Sequence, residues 1–294
     1  MAAEDCLSQT LELKDGRRLG YAELGDPAGV PVVYCHGFPA SRMEGVLIAS
    51  AAERQRVRII VPDRPGYGLS DWKPERSLAE WPNDVAELAD ALDLQRFSVL
   101  AVSGGAPYGL ALAARLGERV VSTAVVCGLG PVFKPEALAP MHWPGRLGFQ
   151  LAKQSPWLLH VVYGGILGQI MRAKPEFALW LLTIAMPEAD RRTLARPEIG
   201  EMLRVSVREA LRPGVKGALM DMVLYAGEWG FDPAAIETPI QFWHGEADAT
   251  VPARHTDLLA ASLPQASIRK LPEEGHFSLP IDKADEILAT MLGL

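Results

Sequence analysis

The chain has 294 residues, 49% of them hydrophobic and 22% charged, enough for one large domain or a core domain carrying an insertion. A net charge of −7 and the lack of a basic tail argue against a nucleic-acid partner. Cys6, Cys35 and Cys127 lack metal-ligand spacing, and the acidic start Met-Ala-Ala-Glu-Asp-Cys lacks the apolar run of a signal peptide, so free thiols in a reducing, cytoplasmic setting are expected.

Ser8 to Leu13 and Arg17 to Glu23 read as two strands joined at Asp15-Gly16, a strong hairpin signal. Val30 to Cys35 is a continuous apolar strand that ends in His36-Gly37-Phe38-Pro39. A helix is predicted from Ser41 to Ala52. The next apolar strand, Val57 to Val61, runs into the turn-rich Asp63-Arg64-Pro65-Gly66-Tyr67-Gly68-Leu69-Ser70. Ser77-Leu78-Ala79-Glu80 has the form of a capping box for a helix reaching Leu92, although Pro82 delays its start.

Phe97 to Val102 is again a short apolar run, and Ala106 onward is rich in Ala and Leu. Ser103 stands between them, with Ala101 before it and Gly104 and Gly105 after. A strand that turns sharply into a helix needs small neighbours, and the residue at the apex is pushed into the open. This is a nucleophile-elbow pattern whose first glycine is replaced by Ala101. No charge falls between Arg96 and Arg115, so a membrane helix competes, but Ser-Gly-Gly-Ala-Pro in its middle opposes one continuous helix. A strand from Val120 to Cys127 follows.

After Pro131 the alternation stops. Val132 to Gly230 has helical patterns and no convincing strand, and Gln154 to Met171 carries no charge, interrupted by Pro156, His160 and Gly164-Gly165. The alternation then resumes with strands at Ile240 to Trp243 and Ser267 to Leu271, and helices at Ala253 to Ser262 and Ile281 to Leu292. Apolar strands alternating with helices imply an α/β fold with a mostly parallel sheet covered on both faces. Ligands of such sheets sit at the carboxyl ends of the strands, where His36-Gly37-Phe38, Asp63-Arg64, Ser103, Asp248 and His276 all fall.

A serine hydroxyl needs a base, and the base needs an orienting partner. Asp248 and His276 follow Ser103 in the order nucleophile, acid, base. With His36-Gly37-Phe38-Pro39, Asp63 to Ser70, the elbow, His244-Gly245-Glu246-Ala247-Asp248 with Val251-Pro252, and Gly275-His276, the chain resembles the α/β-hydrolase superfamily over nearly its whole length. The resemblance implies an eight-stranded, mostly parallel sheet, with residues 1–130 and 231–294 as the core and 131–230 as a helical cap. It implies a serine hydrolase with Ser103 as nucleophile, His276 as base and Asp248 as acid. Asp248 is preferred to Glu246 because the acid precedes the Val-Pro turn. Backbone N–H groups of Phe38 and Gly104 would form the oxyanion hole.

The expected substrate is a small or medium ester with an apolar part under the cap, with Trp157, Met171 and Trp180 as candidate pocket walls. The same scaffold could cleave a carbon–carbon bond, carry out perhydrolysis, or serve as a slow-turnover ligand receptor. Haloalkane dehalogenase and epoxide hydrolase chemistry is disfavoured, because each needs a carboxylate where Ser103 stands. No cofactor, no metal, no membrane span and no nucleic acid are expected. His36 is read as shaping the oxyanion turn, His142, His160 and His255 as cap or surface residues, and Asp63 and Arg64 as buttressing the rim by pairing.

Overall fold

The computed structural model describes residues 5–167, 186–263 and 265–293. Eight strands form one sheet: β1 Gln9–Glu12, β2 Arg18–Gly25, β3 Val30–Cys35, β4 Val57–Pro62, β5 Phe97–Val102, β6 Val120–Val126, β7 Ile240–Gly245 and β8 Ser267–Leu271. Their spatial order is β1-β2-β4-β3-β5-β6-β7-β8. β1 and β2 pair antiparallel, and β2 runs antiparallel to β4; every later pair is parallel. The hairpin turn uses Gly16 at φ +82°, a conformation other residues take only at a cost.

The helices of the first half are α1 Ala49–Arg54, α2 Trp81–Ala91 and α3 Ala106–Arg115. Between β6 and β7 come α4 Pro135–Leu138, α5 Trp143–Gln154, α6 Pro156–Leu159, α7 Glu188–Leu194, α8 Pro197–Ala210 and α9 Lys216–Ala226, with no strand among the described residues. α10 Arg254–Ala260, α11 Ser278–Asp282 and α12 Ala284–Leu292 complete the chain. This is the α/β fold with a helical insertion that the residue pattern predicts.

Every side chain of β5 is buried, and they alternate between two cores. Phe97, Val99 and Ala101 join the core shared with α2 and α3; Leu100 and Val102 join the one shared with α1 and α12. The uncharged stretch around Ser103 is therefore a central strand and a buried helix. Among the described residues, no helix is long and apolar enough to cross a membrane.

Two predicted helices are divided. The one from Ser41 begins as a 3-10 turn, Arg42–Ile48, before α1, and the closing helix breaks at Lys283 between α11 and α12. The Ser77 capping box does form, with the Ser77 N–H donating to the Glu80 carboxylate at 2.9 Å on a 3-10 turn. The α-helix proper then starts at Trp81, which leaves Pro82 in the first turn, where its missing N–H does no harm.

Candidate active site

β5 ends at Val102, and Ser103 turns the chain into α3 with φ +53°, a left-handed backbone that a non-glycine residue holds only under strain. The turn is tight because α3 lies almost against β5. A Cβ at Gly109 would come 2.6 Å from the Ala101 methyl. The Ala101 methyl, the one departure from the elbow pattern, is accommodated because α3 carries no side chain opposite it.

The turn aims Ser103 at His276, which follows β8. His276 Nε2 lies 3.0 Å from Ser103 Oγ, and His276 Nδ1 lies 2.7 Å from Asp248 Oδ2. Asp248 follows β7, and its Oδ1 accepts the N–H groups of Thr250 at 2.7 Å and Val251 at 2.8 Å. A carboxylate cannot donate here, so Nδ1 carries the proton and Nε2 offers its lone pair to the serine hydroxyl. All three side chains are buried, whereas Glu246 is exposed.

Burial alone would raise the Asp248 carboxyl, but His276 and the N–H donors outweigh it and hold the group below its usual range. Burial would lower the His276 imidazole; the Asp248 carboxylate overrides this and moves it upward.

The backbones at Phe38 and Gly104 lie side by side. A Cβ at Gly104 would come 2.6 Å from Phe38 Cβ and 3.4 Å from the Phe38 nitrogen. Neither N–H donates to a protein acceptor among the described residues, while the preceding Gly37 N–H is already held by Glu44 Oε2 at 2.6 Å. Burial raises the Glu44 carboxyl against that hydrogen bond.

The loop carrying Phe38 is fixed from behind. Arg64 donates to the carbonyls of His36 at 2.5 Å and Gly37 at 2.8 Å. Arg64 Nε pairs with Asp221 of α9 at 2.8 Å, and Arg76 pairs with the same carboxylate at 2.5 Å. Tyr67 and Tyr108 donate to Asp221 at 2.8 and 2.5 Å, and Tyr225 donates to the Gly104 carbonyl at 2.8 Å. All six side chains are buried. Burial would raise the Asp221 carboxyl, yet Arg64 and Arg76 bring it down to about 2. Arg64 and Arg76 thus share the Asp221 carboxylate, and the Glu44 carboxyl lies against the same loop.

Some expectations hold and others change. Asp63 and Arg64 both pair, with different partners: Asp63 takes Arg42 at 2.9 Å, and Arg64 takes Asp221 at 2.8 Å. Adjacent residues leaving an extended strand point to opposite sides. His255 is not a surface residue; it is fully buried, accepts the Gly130 N–H at 2.9 Å, and is lowered by burial to about 4. Trp157 is 71% exposed and forms no pocket wall, because α6 presents it to solvent. Met171 and Trp180 lie outside the described residues. His36 is buried, and burial with Arg64 keeps it neutral, consistent with shaping the turn.

The metal-ligating types that come together among the described residues are Cys127, Asp248 and His276, with donor atoms within 4.8 Å of one another. Asp248 and His276 already bond each other, and burial pushes the Cys127 thiol well up, away from the thiolate a metal needs.

Residues 32–290 match the family model described as the alpha/beta hydrolase family. The chain is 27% identical over 291 residues to the dihydrolipoyllysine-residue acetyltransferase component of the acetoin cleaving system of Pseudomonas putida, covering 94% of this chain and 66% of that protein's length. It is 26% identical over 277 residues to 2-hydroxymuconate semialdehyde hydrolase of Pseudomonas putida, covering 90% of this chain and 86% of that protein. The crystal structure of a hydrolase from Pseudomonas aeruginosa has the same fold over the full length of both chains, with a TM-score of 0.71 at 20% identity.

Proposed function

We propose that this chain, which belongs to the alpha/beta hydrolase family, is a serine hydrolase that cleaves a small or medium carboxylic ester with an apolar part. The observation that carries the reading is the continuous line from Ser103 through His276 to Asp248, at 3.0 and 2.7 Å. Ser103 Oγ attacks the ester carbonyl while its proton passes to His276 Nε2. The oxyanion forms beside the N–H groups of Phe38 and Gly104. Collapse transfers the proton from His276 to the leaving alcohol and leaves an acyl group on Ser103. Water, deprotonated by His276, then releases the acid and restores the serine. Asp248 keeps the imidazole oriented and stabilises its charged form throughout.

The similarity to a semialdehyde hydrolase supports a second reading, attack by the same triad on a carbonyl next to a carbon–carbon bond. A panel of esters and diketones separates the two by which substrate turns over. The three free thiols support a reducing, cytoplasmic setting.

The native protein is expected to react with a fluorophosphonate probe and to hydrolyse short-chain nitrophenyl esters. A folded protein that does neither would remove the hydrolase reading. The pH profile offers an independent test. His276 must be neutral to accept the serine proton, and Asp248 raises it above its ordinary 6.5. Activity on the free enzyme should therefore fall as pH drops through a value above about 6.5. An acid limb centred near pH 5 would assign the base elsewhere.

A further inference from the structure

His276 is held by the insertion as well as by the sheet. Asp190, on α7, is fully buried. Its Oδ2 accepts the His276 backbone N–H at 2.9 Å, and its Oδ1 accepts those of Phe277 and Ser278, each at 2.9 Å. The fit leaves no slack: a Cβ at Gly275 would come 2.4 Å from both carboxylate oxygens. Farther along, Thr193 donates to Asp282 Oδ2 at 2.6 Å, and Arg196 pairs with Asp282 Oδ1. The segment from α7 thus grips α11 at both ends, directly after the histidine.

We propose that Asp190 is a positioning residue through which the helical insertion sets the placement of His276 relative to Ser103. The proposal rests on the triad reading given above. Three hydrogen bonds from consecutive N–H groups to one carboxylate are charge-assisted and define the direction of the backbone at 276. That direction in turn fixes where the imidazole swings between Asp248 and Ser103. Reacting groups lose about a hundredfold in rate for a displacement of about 1 Å. Any movement of α7 is therefore transmitted to the base.

Charge supplies the signature that a purely architectural role would lack. The titratable groups around His276 are Asp248 and His244 of the acid loop, Asp190 from the insertion, Glu44 from the 3-10 turn before α1, and Cys127 after β6. Asp190 is one of the carboxylates that favour the charged imidazole.

The test compares Asp190→Asn and Asp190→Glu in the full chain, with kcat, KM and the pH profile read on a short nitrophenyl ester. Asp190→Asn is expected to lower kcat about tenfold to a hundredfold with KM nearly unchanged, and to shift the acid limb to lower pH. Asp190→Glu keeps the charge but misplaces the oxygens, so kcat should fall with the limb left in place. An Asp190→Asn protein with wild-type kcat and limb overturns the inference. So does an Asp190→Glu protein at full rate, and this second variant decides the matter if the first does not fold. Because the wild type is first checked with the fluorophosphonate probe, failure of the hydrolase reading shows there and is distinct from failure at Asp190.

Discussion

Replacing Ser103 by alanine is expected to lower kcat for ester hydrolysis by about 10⁵–10⁶-fold, with fluorophosphonate labelling abolished. The fold should survive. Among the described residues the hydroxyl's one side-chain partner is His276, at 3.0 Å, and alanine meets no more resistance than serine at φ +53°. A residual rate of about 10³–10⁴ over water should remain, because the N–H groups at Phe38 and Gly104 still receive the oxyanion. Circular dichroism together with steady-state kinetics checks both parts. A variant within tenfold of the wild-type rate would take Ser103 out of the mechanism.

The second large effect is on folding. Asp221→Asn should lower stability by about 3–5 kcal/mol, because two buried guanidinium groups lose their counter-charge. Against a total of about 5–15 kcal/mol for a typical protein this is severe, and the melting temperature should drop by roughly 10 °C. Denaturant titration measures it, and a change under about 1 kcal/mol would show that the cluster is compensated elsewhere. Acid should mimic the substitution. The folded carboxyl sits at about 2, below its ordinary 3.8, so its contribution is complete above 3.8 and is lost as pH falls through about 2. The site should suffer with the fold, because Arg64 is held by Asp221 and itself holds the His36 and Gly37 carbonyls.

The main features of the site were legible because each sits where a strand pattern stops. Strands predicted to end at Cys35, Val102, Trp243 and Leu271 put His36-Gly37-Phe38, Ser103, Asp248 and His276 on one rim, and the chain order of Ser103, Asp248 and His276 tied them together. The supporting residues carry no such signal. Asp190 stands beside Glu188 at the start of a polar helix and Asp221 alone in an apolar one, and their partners across the fold lie 86 to 88 and 113 to 157 residues away. Glu44 looks like an ordinary helix charge until the Gly37 N–H is seen against it. His255 stands between Arg254 and Thr256, next to Asp257, a polar neighbourhood that hides its full burial against Gly130. Trp157 misled in the opposite direction: an indole suggests a pocket wall, but α6 turns it outward. Apolar character alone does not say which side of a helix faces inward.

The close approach of β5 and α3 has an evolutionary consequence. Between residues 101 and 109 there is room for one methyl, and this chain carries it on the strand. With Ala101 present, a side chain at Gly109 would force the two backbones apart at the turn that aims Ser103. Trimming residue 101 to glycine first would leave that side chain only the Val99 Cγ1, at 3.3 Å, to displace. The two positions are therefore free only in sequence, not independently, and the order of substitutions decides whether a lineage passes through a functional intermediate. A chain with glycine at 101 can gain a methyl on its helix at 109, whereas this one must first give up its own.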